Sequence, residues 1–314
     1  MRAVSEKADI VVLDEPAVAQ RLHYPDLIPA IAQALAALSS GEGRVVQPVR
    51  AVLPVAPHHG FFAVMPAYAG SLGAKLVTFY PQNVGIHTHH AVIVMFKAET
   101  GEPLAVMDGR LITEMRTAAA SAVATQRLAR ADAAVLAILG SGVQAGSHLA
   151  ALRLVRSFKE VRVWSPRHAA EFAQRHGVKA AATAADAVRG ADVVVVALNA
   201  TTPVLQGRWL APGTHVNAIG ATRPDWRELD DDLVTTARVF VDSREAALRE
   251  SGDVIAASGA GGEVVEIGAV VSGADHGRRN AEEITLFKSV GVAVEDVAAA
   301  ALVLGDRSRE SGAR

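Results

Sequence analysis

Three cationic side chains among the first 116 residues are of the types that hold a carboxylate in an enzyme site. Arg50, Lys75 and Arg116 lie on or beside short apolar runs that are typical of strands. A cation buried among such runs is costly unless it is paired, and an arginine fork binds a carboxylate through two parallel hydrogen bonds. The three residues therefore predict a site for an anionic ligand that bears a carboxylate. The alternative at each position is an ordinary surface charge.

A glycine-rich turn in the middle of the chain has the spacing Gly140-x-Gly142-x-x-Ala145. It follows the apolar run 134–139 and precedes a helical pattern. In a dinucleotide-binding loop the first glycine makes the tight turn, the second lets the backbone approach the pyrophosphate, and the third small residue lets helix and strand pack closely. A glycine turn with a purely structural role is the alternative. The predicted cofactor loop comprises Gly140, Gly142, Val143, Gln144 and Ala145.

The end of the next apolar run indicates which nucleotide would bind. An NAD site usually has a carboxylate there, which holds the ribose 2′-hydroxyl. Here the run ends as Trp164-Ser165-Pro166-Arg167-His168, with no carboxylate. A hydroxyl, a guanidinium and an imidazole suit a 2′-phosphate instead. We therefore predict NADPH as the cofactor, with NADH possible. The alternative is that Arg167 only opens the next helix at the surface.

Five histidines raise the question of a metal site: His58, His59, His87, His89 and His90. On a strand, His87 and His89 would share one face while His90 points to the other. That leaves two ligands where a catalytic zinc ion needs three. We therefore predict no metal site, and the sequence assigns no role to the histidines at 87, 89 and 90.

Apolar runs alternate with helical patterns from about residue 118 to 290, starting with 134–139, 161–164 and 192–197. This alternation indicates a parallel sheet with helices on both faces. Residues 1–117 carry apolar or alternating runs separated by Gly and Pro, which indicates a mostly antiparallel sheet. The predicted fold class is α/β, with a Rossmann-type doubly wound domain over 118–290 and an α+β domain over 1–117. An Ala/Val-rich segment predicts a further helix over 289–304.

Length and composition limit the classes of protein. A chain of 314 residues predicts about two domains. The 31 Lys and Arg nearly balance the 33 Asp and Glu, which argues against nucleic-acid or membrane-surface partners. The absence of cysteine excludes disulfides and thiolate chemistry. No apolar run has the length of a membrane span, and the charged N-terminal stretch is unlike a signal peptide. We expect a soluble cytoplasmic protein.

Several longer runs, taken together, resemble the ornithine cyclodeaminase/mu-crystallin family, and they cover nearly the whole chain. These runs include Val46-Gln-Pro-Val-Arg50, Lys75-Leu-Val-Thr-Phe-Tyr80, Leu104-Ala-Val-Met-Asp-Gly109, Ile138-Leu-Gly-Ser-Gly-Val-Gln-Ala145, Arg223-Pro-Asp-Trp-Arg-Glu-Leu-Asp230 and Phe287-Lys-Ser-Val-Gly-Val-Ala-Val-Glu-Asp296. The resemblance implies a homodimer in which residues 1–117, completed by 291–314, form the substrate-binding and dimerisation domain. It further implies a small imino acid as the substrate.

The resemblance also implies roles for individual residues. Those matching Arg50, Lys75 and Arg116 hold the substrate carboxylate and polarise its reacting carbon–nitrogen bond. The predicted cofactor site also includes Ser165, Pro166, Arg167, Asn199, Ala221 and Thr222, and the predicted substrate site also includes His89 and Thr222.

One departure from the family pattern bears on the reaction. Cyclodeaminating members carry an aspartate two residues after the glycine that matches Gly220, where this chain has Thr222. A threonine cannot act as a carboxylate base, and we expect nearby Asp225 to belong to the following helix start. We therefore expect reduction of a cyclic ketimine, such as pyrroline- or piperideine-2-carboxylate, to the amino acid. The alternatives are an open-chain imino or oxo acid reductase (alanine dehydrogenase-like, or acting on iminosuccinate), ornithine cyclodeamination, and a non-catalytic binding protein of the kind that holds NADPH or thyroid hormone.

Overall fold

A computed structural model describes residues 10–41 and 45–305. Contacts within the chain divide it into two units. The first contains residues 10–27, 41, 45–113 and 293–305, and the second contains Ile28–Ser40 and Glu114–Val292. The sequence pattern predicts that the segment Ile28–Ser40 belongs to the first domain. It packs in the second unit instead, where Gly268 has no side chain and so allows the Leu35 carbonyl to approach closely.

The elements are numbered in chain order. The strands are β1 (Val11–Leu13), β2 (Ala51–Val55), β3 (Gly60–Tyr68), β4 (Leu72–Phe79), β5 (His89–Phe96), β6 (Pro103–Asp108), β7 (Val135–Leu139), β8 (Glu160–Trp164), β9 (Lys179–Ala180), β10 (Val193–Val196), β11 (His215–Ala218), β12 (Arg238–Val241), β13 (Val264–Glu266) and β14 (Thr285–Lys288). The helices are α1 (Glu15–Ala19), α2 (Tyr24–Ser39), α3 (Arg110–Leu128), α4 (Val143–Val155), α5 (Ala169–His176), α6 (Ala184–Val188), α7 (Asp231–Thr236), α8 (Arg244–Glu250), α9 (Gly252–Gly259), α10 (Ile267–Ser272) and α11 (Ala293–Leu304).

The first unit is built on a six-stranded sheet in the order β1-β6-β5-β4-β3-β2. All neighbouring strands are antiparallel except β1 and β6, as the runs separated by Gly and Pro predict. Alternate residues of β3, β4 and β5 are buried, because side chains of period two point to opposite faces. Helix α11 packs across these three strands, and Gly73 lets the helix approach the sheet near Val297.

The second unit contains eight parallel strands in the order β13-β12-β14-β11-β10-β7-β8-β9. Strands such as β10, whose four residues are all valine and all buried, are covered on both faces. Chain order reverses at β7, which has β8 on one side and β10 on the other. Ligands of such sheets bind beyond the carboxyl ends of the strands at this reversal point. The fold class expected from the sequence is therefore confirmed.

Two elements differ from the sequence-based expectation. Arg116 does not lie on or beside a strand, because it belongs to the 19-residue helix α3. The alanine-rich run that follows it strongly favours a helix. Helix α11 begins at Ala293 and not at 289. Gly291, with φ +76°, lies just before it in a backbone conformation that a helix does not contain.

Two histidines in the interior of the second unit are held neutral. Burial lowers the pKa of His148 to about 4 and that of His215 to about 3. His148 Nδ1 donates to the Gln144 carbonyl (2.7 Å), so Nε2 accepts from the Ser121 hydroxyl (2.9 Å).

Among the described residues, no helix is long and apolar enough to cross a membrane.

These histidines predict acid sensitivity. Below about pH 6.5 the unfolded chain protonates both rings, whereas the folded protein does so only near pH 4 and 3. The contribution of these two rings to stability should therefore be constant above pH 6.5 and fall as the pH drops, by about 1.4 kcal/mol per pH unit for each ring. Urea unfolding of wild type and His148→Gln at pH 7, 6 and 5 measures this slope. An equal slope in both proteins would contradict the assignment to His148.

Candidate functional site

The glycine-rich turn joins β7 to α4, and its first glycine is required by the neighbouring strand. Gly140 has φ +134°, and a Cβ atom there would overlap the Ala197 carbonyl oxygen at the end of β10. Its N–H donates to the Trp164 carbonyl at the end of β8 (2.8 Å). Only glycine fits this conformation and this space.

The second glycine of the turn leaves open space at the start of α4. Gly142 is the N-cap residue and has an ordinary φ of −83°, and nothing lies within 4 Å of a Cβ built there. The free N–H groups of the first helical turn attract an anion. Val143 is exposed, Gln144 is half-buried, and Ala145 is fully buried where helix and strand meet. This open backbone cradle fits a pyrophosphate.

The residues expected at the adenosine phosphate follow β8. The Ser165 and Ser141 hydroxyls are 2.8 Å apart, which links this loop to the glycine-rich turn. Ser165 Oγ also accepts from the His168 N–H at 3.1 Å. Pro166 and Arg167 are exposed. The Arg167 guanidinium is therefore exposed to solvent beyond the carboxyl end of β8, where it is accessible to a nucleotide phosphate.

The remaining predicted cofactor residues follow β10 and β11. Asn199 and Thr222 are exposed, and Ala221 is buried. Ala221 has φ +49°, a left-handed conformation uncommon for any residue other than glycine. The structure thus brings the predicted cofactor residues to the carboxyl ends of β7, β8, β10 and β11, at the edge where the strand order reverses.

A buried ion pair that sequence reasoning missed lies beneath this edge. Lys288 Nζ is 2.5 Å from Glu228 Oε1, donates to the Gly220 carbonyl, and lies 3.6 Å from Asp253 Oδ2. All three charged side chains are buried, and burial raises the pKa of Glu228 to about 7. The pair fixes the backbone immediately before Ala221. The only signal in the sequence is a single lysine within the apolar strand β14.

Lys75 is the most deeply buried of the three predicted substrate cations. It lies on β4 with 1% of its surface exposed, and its Nζ is 2.7 Å from Asp296 Oδ2 on α11. A carboxylate this close favours the charged ammonium form. Sequence reasoning missed Asp296, although the acidic pair Glu295-Asp296 inside an Ala/Val-rich helix was a signal that it meets a cation.

Arg50 directly precedes β2, in the same unit as Lys75. The register of β3 and β4 places Met65 opposite Lys75. On the other side of β3, β2 pairs Ala51 with Val64, the residue before Met65, and Arg50 comes one residue before that pair. Two strand spacings, about 10 Å, separate the start of β2 from β4. Arg50 is half-buried.

An apolar stretch continues from Lys75 along the same face. Ala63, Val77 and Ala91 form a row of small buried side chains across the three strands. The next row contains Phe61, Phe79 and His89, all half-buried, about 13 Å along the strand from Lys75. The face is therefore cationic at one end and aromatic at the other.

The other histidines are separated from His89. His90 points to the opposite face of the sheet, and its Nε2 is 3.0 Å from the His87 carbonyl oxygen. His58 and His59 lie in the exposed turn before β3. In the described part of the chain, no three histidine or acidic side chains are grouped as metal ligands would be.

Arg116 belongs to the second unit. It is 5% exposed in the middle of α3, and its guanidinium lies against Gly291. Of the predicted substrate residues, Arg50, Lys75 and His89 therefore lie in the first unit and Arg116 and Thr222 in the second.

A family model described as "Ornithine cyclodeaminase/mu-crystallin family" matches residues 8–311. The chain belongs to this family. It is 49% identical over 289 residues to the ketimine reductase mu-crystallin of Macropus fuliginosus, covering 88% of this chain and 90% of that protein.

Two solved structures are similar to this chain over nearly its whole length. Δ1-pyrroline-2-carboxylate reductase of Thermococcus litoralis, in complex with NADH and L-proline, superposes with a TM-score of 0.89 at 35% identity, covering 96% of this chain and 98% of that one. An archaeal alanine dehydrogenase dimer with bound NAD gives 0.88 at 33% identity, covering 97% and 98%.

Proposed function

We propose that the protein is an oxidoreductase that uses a reduced nicotinamide dinucleotide to convert a cyclic 2-imino acid to the amino acid. The observation that carries this proposal is the buried Lys75–Asp296 ion pair, in a sheet whose strand β2 directly follows Arg50. An ammonium paired with a carboxylate, with a guanidinium in the same sheet, suits a substrate with a carboxylate next to a C=N bond. The names of the similar reductases support the same chemistry.

In this mechanism Arg50 and Arg116 bind the substrate carboxylate and fix its orientation. The Lys75 ammonium donates a hydrogen bond to the imine nitrogen and transfers that proton to it as hydride adds to C2, so the amine forms with a neutral lysine that solvent reprotonates. Asp296 keeps the ammonium charged when no substrate is bound. Positive charge on the nitrogen makes C2 a better hydride acceptor. When bound, the nicotinamide supplies the hydride that adds to C2. The protein contributes orientation and electrostatic stabilisation.

The open cradle at Gly142 fits the pyrophosphate, and we propose NADPH as the preferred cofactor. Ser165 and the exposed Arg167 at the end of β8 favour a 2′-phosphate. NADPH has the 2′-phosphate and NADH lacks it, so a guanidinium that binds this phosphate contributes mainly to the affinity for NADPH. Arg167→Ala should therefore raise the Kd of NADPH and leave that of NADH nearly unchanged.

The aromatic end of the substrate face favours a compact, uncharged ring. Between Lys75 and the row of Phe61 and Phe79, the floor is formed by small apolar side chains. An open-chain substrate with a second carboxylate, such as iminosuccinate, is the second candidate. His89, beside Phe79 on this face, favours it because a protonated imidazole can pair with a carboxylate.

Cyclodeamination is less well supported. Thr222 is exposed after β11, and the nearest acidic side chain in sequence, Asp225, is exposed beside Arg223 (3.8 Å between Nε and Oδ1). The aspartate expected of cyclodeaminating members is thus absent from position 222.

We also propose a homodimer formed through the first unit. Of the twelve large hydrophobic side chains exposed in the described residues, nine lie in that unit, including Val52, Leu53 and Val92 on the sheet. Leu53 and Val92 point to the sheet face opposite Lys75, and exposed apolar side chains that share a face mark an interaction site. Sedimentation should show a dimer, which Leu53→Arg should weaken, and a monomeric wild type would contradict the proposal.

The direct test is the absorbance of NADPH and NADH over time with purified protein and piperideine-2-carboxylate. We expect fast oxidation of NADPH and slower oxidation of NADH. A pyruvate-plus-ammonia assay and an iminosuccinate assay test the open-chain alternative. Formation of proline and ammonia from ornithine without net oxidation would contradict the reductase proposal and indicate a cyclodeaminase.

A pair of glycine substitutions tests the cofactor site. Gly142→Ala places a methyl group in open space at an ordinary φ, so the melting temperature should stay within about 2 °C of wild type. The same methyl group blocks backbone approach to the pyrophosphate, so the Kd for NADPH should rise by at least about tenfold. Fluorescence titration measures it. Unchanged affinity would contradict the assignment. The contrasting Gly140→Ala, which overlaps Ala197, should reduce stability as well.

A further inference from the structure

We propose that Asp242 and Gly291 position the guanidinium of Arg116, the one predicted substrate cation that lies on a helix of the second unit. Neither residue was among the predicted site residues. The inference rests on the proposed function, because it gives Arg116 the substrate carboxylate to bind.

Asp242 follows β12 and organises the turn that leaves β14. Its carboxylate is fully buried. Oδ2 accepts from the Ser289 hydroxyl (2.9 Å), the Val290 N–H (2.9 Å) and the Gly291 N–H (2.6 Å), while Oδ1 accepts from the Ser243 N–H (2.9 Å). One oxygen thus holds three successive residues, so the turn has a single well-determined conformation.

Gly291, which has no Cβ atom, lies directly against the Arg116 guanidinium. A Cβ built at Gly291 would overlap Nη1 of Arg116 and lie 2.7 Å from Nη2. Its φ of +76° is also the left-handed conformation that favours glycine. The guanidinium therefore packs directly on the backbone of the turn that Asp242 holds.

This arrangement determines the orientation of the Arg116 guanidinium plane. An arginine side chain has several rotatable bonds, and a bidentate contact with a carboxylate requires its plane to be fixed before the ligand arrives. Packing against Gly291 limits the plane of the guanidinium. Asp242 keeps Gly291 in place through backbone hydrogen bonds, so it acts on Arg116 through the turn and is a positioning residue.

The test compares two glycine substitutions with similar backbone cost. Gly291→Ala displaces Arg116, whereas Gly273→Ala, at φ +82°, meets nothing within 4 Å. Both variants should lose a similar amount of thermal stability. Only Gly291→Ala should lower kcat/KM for the imino acid, by at least tenfold, with the NADPH Kd within twofold of wild type. Equal kcat/KM values for the two variants would overturn the proposal.

Two further variants separate positioning from a general effect on folding. In an Arg116→Lys background the Nη atoms are gone, so adding Gly291→Ala should change kcat/KM by less than twofold. Ser289→Ala removes one of the three hydrogen bonds to Asp242 Oδ2 and should give a smaller loss in the same direction. A full tenfold loss in the lysine background would show that Gly291 acts independently of Arg116.

A spectroscopic measurement keeps this test independent of the proposed function. In protein labelled with ¹⁵N-arginine, the Nε–Hε resonance absent from Arg116→Lys identifies Arg116. It should shift in Gly291→Ala and stay in place in Gly273→Ala. If wild type fails to reduce any imino acid while this shift is seen, the proposed function fails and the positioning stands. An unmoved resonance overturns the positioning whether or not the enzyme is active.

Discussion

Replacement of Arg116 by alanine is expected to lower kcat/KM for the imino acid by about 10²- to 10³-fold. Removing one partner of a buried, hydrogen-bonded charge pair costs about 2–5 kcal/mol, and about 1.4 kcal/mol corresponds to a factor of ten. The side chain is 5% exposed, so water would not replace the guanidinium fully. Cofactor affinity should change less than twofold, because the predicted cofactor residues lie at the carboxyl ends of β7, β8, β10 and β11, whereas Arg116 lies in the middle of α3. Steady-state kinetics and fluorescence titration measure the two quantities.

Arg116→Lys is the matched control. It keeps the positive charge but lacks the planar fork, so it should recover only part of the lost kcat/KM. An equal loss of NADPH binding and turnover in Arg116→Ala would mean that this residue supports the fold of the second unit and does not bind the substrate.

Replacement of Lys75 by methionine should affect both activity and stability. The substitution conserves much of the side-chain volume but removes the cation from the buried Asp296 carboxylate. Breaking a buried ion pair in this way costs about 3–5 kcal/mol of the free energy of unfolding. Turnover should fall by at least about 10³-fold, since the ammonium that polarises the C=N bond is gone. Urea unfolding and NADPH oxidation measure the two effects.

The double variant Lys75→Met/Asp296→Asn separates these two effects. Once the carboxylate is also neutral, most of the lost stability should return, because the interior no longer contains a charge without its counter-ion. Turnover should stay as low as in the single variant. Recovery of turnover together with stability would show that Lys75 is only a structural residue.

The parts of the site that the sequence predicts are those encoded within a few neighbouring residues. The spacing of Gly140, Gly142 and Ala145 after an apolar strand is a local pattern, and the structure places these residues at the helix start that the pattern predicts. The alternation in β3 to β5 is local too, and it sets which side chains share the face of Lys75.

The parts of the site that the sequence does not predict depend on pairs of residues that are far apart along the chain. Asp296 lies 221 positions after Lys75, and Lys288 lies 60 positions after Glu228. No periodicity in a single sequence indicates which acidic residue meets which cation. The placement of Arg116 failed for another reason: the short apolar segment before it has no helical or strand period of its own, and the alanine-rich run after it decided the conformation.

Helix α11 completes a sheet whose strands end at residue 108, after more than 180 intervening residues. During synthesis the strands of the first unit therefore emerge from the ribosome long before the helix that covers them. Lys75 has no access to Asp296 during that interval, and the apolar face of β3 to β5 remains uncovered. Domains otherwise tend to fold in the order in which they are made. Here the second unit also waits, because β14 (Thr285–Lys288) lies in the interior of its sheet, so neither unit can complete its fold until nearly the whole chain has been made.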